Sequence, residues 1–218
     1  NMKMMGDFLT NSIEVYGGQT SKACNGLNEG RYIQLNERDV SDTESGFKNH
    51  IDEVGACYYT SATVTNGEEY MSMQIAGVYP VHTQIVKHTM LEGRFINEID
   101  VKECRKVLVL NDNQAKELQP NNYKTLIGKY VKVGNIAFKV VGIYKARDDG
   151  SGNAFSSYST IKNIFAANTP DLGNIEFTVH GLSTEKANED FEKTYRRKLN
   201  ANHQAHPEDE RSIWILIS

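Results

Sequence analysis

The chain has 218 residues, with 24 Lys+Arg against 28 Asp+Glu and a formal net charge of −4. That length allows one large or two small domains, and a mildly acidic balance without a Lys/Arg run gives no reason to expect a nucleic-acid surface or another polyanion site. The three cysteines, Cys24, Cys57 and Cys104, are widely spaced and form no Cys-x-x-Cys pair, so three unpaired or buried thiols are expected, with at most one disulfide.

Ser12 to Tyr16 reads as a strand ended by Gly17-Gly18, and the polar, Gly-rich stretch to Arg31 as a loop. Asn36 with Asp39 three residues on is a helix start. Val40, Phe47 and Ile51 suit one face of a helix running to about Glu53, although Gly46 weakens it by about 1 kcal/mol relative to Ala. Val54 to Val78 predicts a hairpin about Asn66-Gly67. Counting outward places Ala62 opposite Met71, Thr60 opposite Met73 and Tyr58 opposite Ile75 on an apolar face. Thr63, Tyr70, Ser72 and Gln74 fall on the other face, as a sheet with one solvated side requires. Pro80 permits a helix that Ile85 to Met90 continue.

Leu91 to Tyr144 is the most legible stretch. Val107-Leu108-Val109-Leu110 is an apolar run of strand length. Asn111 can cap a helix from Asp112 to Leu118. Gly134-Asn135 suits a two-residue turn that sets Val133 opposite Ile136 and Val131 opposite Phe138, with Lys132 and Lys139 pointing the other way. Ala146 to Asn153 is a charged, Gly-rich loop, and Ala154 to Tyr158 a short edge strand. Ser159 or Thr160 can cap a helix carrying Ile161, Ile164 and Phe165. Ile175 to Val179 is a strand. Ser183 caps the clearest helix, whose stripe Ala187, Phe191, Tyr195, Leu199 has strict i,i+4 spacing, and Ser212 to Ser218 is a final strand.

The candidates for chemistry are weak. His203-x-x-His206 lies past its helix with no third ligand. His82 and His88 are six apart on a predicted helix and do not share a face well. Asp148 to Asn153 lacks the order and distal glutamate of a calcium loop. Gly17 to Lys22 is not a P-loop. The residues therefore single out no catalytic, cofactor-binding or metal-binding residue and no cofactor.

Several stretches together resemble a family. Gly93-Arg94-Phe95 followed by an acidic residue, the Val107–Leu110 strand leading into a short helix, and the Ile127-Gly128-Lys129, Val133-Gly134, Phe138-Lys139-Val140-Val141-Gly142-Ile143 hairpin resemble the extracytoplasmic core domain of MacB-like and FtsX-like ABC-transporter permeases. Asn11 to Val15 is similar to the strand after the first transmembrane helix, Ala76-Gly77-Val78 fits the middle, and the helix ending Arg196-Arg197-Lys198-Leu199 fits the end.

The resemblance implies an α+β fold in two subdomains. Residues 1–91 with 171–218 would form a porter-like unit, and 92–170 an inserted β-rich unit. It implies a non-enzymatic domain, tethered at the periplasmic face of the inner membrane by helices outside this sequence. No stretch here approaches the roughly 20 apolar residues of a span and none reads as a signal peptide, whereas Met2, Met4, Met5, Phe8 and Leu9 would be the exit from one span and Ile213 to Ile217 would approach the next. The implied partners are a second permease copy or paralogue, a cytoplasmic ATPase domain or subunit, and a periplasmic adaptor. Motion would enter at the two termini, which are expected side by side, and a cross-link between them is expected to lower transport. The alternative is a free-standing periplasmic module that binds a ligand.

Overall fold

The computed structural model describes residues 11–218; the stretch Met2 to Leu9, read above as the exit of a membrane helix, lies outside them. The fold is α+β. The chain divides into two compact units, Asn1–Ala56 with Pro170–Ser218, and Cys57–Thr169. The first opens with β1 (Ser12–Gly17), α1 (Glu37–Gly46) and the start of β2 (Ile51–Asn66). The second holds the rest of β2, then β3 (Glu69–Val78), α2 (His82–Ile85), β4 (Met90–Gly93), α3 (Glu98–Lys102), β5 (Val107–Asn111) and α4 (Asp112–Leu118). A 3-10 turn (Tyr123–Leu126), β6 (Tyr130–Val133), β7 (Ile136–Tyr144), β8 (Ala154–Ser157) and α5 (Tyr158–Phe165) complete it. The chain then returns to the first unit with β9 (Asn174–Val179), α6 (Glu185–Asn202) and β10 (Ile213–Ile217).

In the first unit the strand order is β10-β1-β9-β2. The i,i+4 stripe of α6 buries Phe191, Tyr195 and Leu199, with the Tyr195 ring 5.3 Å from Phe177 of β9 and 5.2 Å from Phe47. Burying side chains of this size contributes about 2 kcal/mol each, so this stripe is the main attachment of the helix. The N-cap is Thr184, one residue past the expected Ser183. Helix α1 starts at the expected Asn36/Asp39 capping box but stops at Gly46 rather than near Glu53. Phe47 turns out of the helix to join Phe191 and Tyr195, and Ile51 begins β2. Packing of Phe47 and strand pairing outweigh a helical periodicity already weakened by glycine.

In the second unit the order is β2-β3-β8-β5-β7-β4, with β6 pairing both β2 and β7. One face of this sheet buries Leu108, Leu110, Phe138 and Val140 with Leu118 of α4 and Ile161 of α5. The other buries Val107, Val109, Tyr144 and Phe155 with Ile96. The β6–β7 hairpin has the expected register, Val133 with Ile136 and Val131 with Phe138. The β2–β3 hairpin is shifted by two residues: Ala62 faces Met73, Thr60 faces Ile75 and Asn66 faces Glu69. The turn is Gly67-Glu68, with Gly67 at φ +62°, because Asn66 stays in the strand and donates from Nδ2 to the Leu118 carbonyl at 2.7 Å. A shift of two keeps every side chain on its face, so the apolar pattern could not have revealed it.

Strand β8 is not an edge. It lies between β3, to which it is parallel, and β5, and all four of its residues are buried. Helix α2 ends at Ile85, not Met90, because Val86 is extended and Met90 belongs to β4. The boundary expected at 91/92 falls at 56/57. The parallel pairing of Ile75–Val78 with Ala154–Ser157 ties the hairpin to the later strands, and α5 lies so close on β3 that a Cβ at Gly77 would sit 2.8 Å from Ile161 Cβ.

Candidate functional site

The site the sequence points to is the pair of terminal strands. In β1 the alternating Ile13 and Val15 are buried, which makes it an interior strand between β9 and β10. The two strands pair antiparallel from Ile13–Ile217 to Gly17–Ile213. The outer end is closed by backbone bonds. Asn11 and Ser12 donate to the Ser218 carbonyl at 2.9 and 3.1 Å, and Ser218 N–H donates to the Ser12 carbonyl at 3.0 Å. Asn11 and Ser218 therefore leave the sheet side by side. On β10 the side chains of Trp214, Leu216 and Ile217 are about half exposed.

Polar groups fasten these strands to the rest of the first unit. Arg196 of α6, itself buried, donates from Nη1 to the Glu210 and Ile213 carbonyls at 3.1 and 2.8 Å and pairs with Glu192 at 3.2 Å. Asp209 has no solvent exposure. Its carboxylate accepts from Ser21 N–H, Ser21 Oγ, Lys22 N–H, Arg211 N–H and Ser212 N–H at 2.8–3.1 Å. Burial pushes its pKa up, but the donors of Arg211, Ser21 and Lys22 outweigh this and hold it below the ordinary carboxylate range. The loop from Gly17 to Lys22 is thus filled by the protein's own carboxylate and locks the segment that leads into β10.

The other residues singled out by sequence fall apart or change meaning. His203 Nε2 sits 2.7 Å from Asp39 Oδ2 at the α1 cap, whereas His206 Nδ1 accepts from Glu208 N–H; the two rings serve different loops. His82 and His88 do meet, with ring centroids 5.9 Å apart, because α2 is a single turn. His88 also lies against Tyr144 and Phe155. Burial, and then the charges of His82 and Arg147, lower its pKa from 6.5 to about 4. The Asp148–Asn153 loop is fastened by amides: Asn113 donates to the Gly150 carbonyl, and Asn111 and Gln114 to that of Gly152. Helix α3 was not foreseen, although its Asn97/Asp100 capping box was readable. Asp100, fully buried, also takes both Nη atoms of Arg94 at 2.7 and 3.1 Å. The Gly-Arg-Phe segment is thereby clamped to α3 by a bidentate pair. No helix among the described residues is long and apolar enough to cross a membrane.

Residues 2–194 match the family described as the MacB-like periplasmic core domain. The chain belongs to that family, an extracytoplasmic domain of ABC-transporter permeases. It is similar to "Macrolide export ATP-binding/permease protein MacB" of Shewanella sp. (strain ANA-3), at 23% identity over 158 residues, 70% of this chain and 23% of that protein. The protein of the same name from Campylobacter jejuni is 28% identical over 160 residues, 71% of this chain and 24% of that protein. The chain thus spans about a quarter of the length of these curated relatives. Among solved structures, the periplasmic region of MacB from Actinobacillus actinomycetemcomitans superimposes with TM-score 0.74 at 21% identity, over 98% of this chain and 91% of that one. The extracellular domain of the noncanonic ABC-type transporter YknZ from Gram-positive bacteria gives TM-score 0.71 at 18% identity, over 94% and 100%. Both share the fold.

Proposed function

We propose that this domain does no covalent chemistry and passes motion between the membrane part of an ABC permease and an extracytoplasmic partner. ATP hydrolysis in a cytoplasmic domain or subunit would supply the work, and export or activation of a partner would receive it. The partners would be a second permease copy or paralogue and, outside the membrane, an adaptor. The observation that carries this reading is the pairing of Asn11 and Ser12 with Ser218. Two chain ends that leave one sheet side by side can both continue into the same membrane face. A free-standing ligand-binding module has no need of that pairing.

Strands already joined by a backbone ladder move as one body, since packed sheets deform little and shift at their interfaces. This removes the reason to expect a cross-link between the ends to lower transport. In the full-length transporter, oxidising a Glu14→Cys/Leu216→Cys pair, directly opposed in the ladder, is expected to form a disulfide and leave transport unchanged. Transport that stops on oxidation and returns on reduction would show that the strands must part, and would refute motion as one body.

A further inference from the structure

We infer that the second unit carries a docking face for an acidic, extended segment of a partner protein. The face is the outer side of β6 and the start of β7. Alternation sends Val131, Val133, Phe138 and Val140 into the core and leaves Tyr130, Lys132 and Lys139 outside. Tyr130 lies directly opposite Lys139 and is 65% exposed. Lys132 is then the diagonal neighbour of Lys139, about 7–8 Å away. Lys106, whose carbonyl accepts from the Lys139 N–H, borders the same cavity as Tyr130 and Lys139. Arg94 and Arg105 close the rim of a cavity of about 480 Å³ that Lys106, Tyr130 and Lys139 also line.

Four cations thus share a cavity with one exposed tyrosine, and Lys132 stands two residues along the same face of β6, on a chain whose net charge is −4. The neighbouring carboxylates are already engaged: buried Asp100 holds Arg94 and Glu103 pairs with Arg105. Among the described residues the three lysines pair with no carboxylate. Charge complementarity calls for an anion, and the spacing selects an extended one. Alternate side chains of a strand-like peptide repeat at about 6.6 Å, close to the lysine diagonal, and the Tyr130 ring offers an apolar surface beside both lysines. Arg94, Arg105, Lys106 and Lys139 border a concavity, whereas a bilayer presents its charge on a plane and would leave that floor unfilled. This inference stands apart from the mechanical reading and is tested on the domain alone.

The probe is a peptide in which glutamate and serine alternate, titrated at low salt against the domain and against Lys106→Glu/Lys132→Glu/Lys139→Glu. All three lysines are exposed, so the variant should melt with the parent. Binding is expected to weaken about tenfold or more in the variant and comparably on raising salt from about 0.05 M to about 0.5 M. A control with Lys186→Glu/Lys193→Glu on α6 should bind as the parent does. Equal binding by parent and triple variant would overturn the proposal, as would the same loss in the α6 control. Retention of phosphatidylglycerol vesicles by these lysines without peptide binding would make the face a lipid surface instead, and full competition by inorganic phosphate would make it a simple anion site.

Discussion

Asp209 is a single residue on which the path into β10 depends. Five donors converge on its carboxylate, so Asp209→Ala leaves buried N–H groups unsatisfied and is expected to cost about 2–3 kcal/mol in urea unfolding. Its pKa is lower folded than unfolded, so its contribution is complete above the unfolded value and is lost as pH falls through the folded one. His88 acts at higher pH. Its folded pKa of about 4 lies below the usual 6.5, so the unfolded chain binds the extra proton, and stability falls as pH drops from about 6.5 toward 4. Thermal melts between pH 7 and pH 3 should fall in two stages. His88→Asn should remove the upper stage and keep the lower; a variant that retains both stages would show that His88 is not the titrating group. Neither role was legible in sequence. Asp209 carries no spacing signal among the 28 acidic residues, and a helix carrying both His82 and His88 misses the extended Val86 beyond which their rings meet.

At the scale of elements, sequence reading succeeded where the signal is local. The Asn36/Asp39 and Asn111 caps, the Gly134-Asn135 turn and the i,i+4 steps from Phe191 to Leu199 each depend on residues within four of one another, and each stands as read; Ala187, at the head of that stripe, is only half-buried. It failed where a distant partner decides. Asn66 gives up the turn for Leu118, and β8 becomes central only because β3 and β5 close on it. Two substitutions test these assignments. Asn111→Ala removes the cap bond to Gln114 N–H and the bond to the Gly152 carbonyl and should cost about 1–2 kcal/mol. Gly67→Ala forces a side chain into φ +62° and should cost about 1–2 kcal/mol, which a shift in melting temperature will show. Were Asn66-Gly67 the turn pair instead, Asn66→Ala would be the more damaging of the two hairpin changes.

For the whole molecule, the division into two units follows from which strands pair, and strand pairing is the least visible property of a single sequence. The resemblance named the family and implied two subdomains, one of them built from both ends of the chain. The boundary was misplaced because the parallel β3–β8 contact joins residues about eighty apart in sequence. The basic face was equally hidden: Arg94, Lys106, Lys132 and Lys139 form no run, and only the sheet brings them together. The central claim is that β1 and β10 carry motion as one body. In a full-length transporter, flexible Gly-Ser insertions made together, directly before Asn11 and directly after Ser218, measure this, with transport and ATP hydrolysis followed together. The account predicts that hydrolysis continues while transport per ATP falls several-fold, because a flexible linker cannot transmit a rigid displacement. Unchanged transport per ATP, in a protein whose domain melts as before, would contradict it.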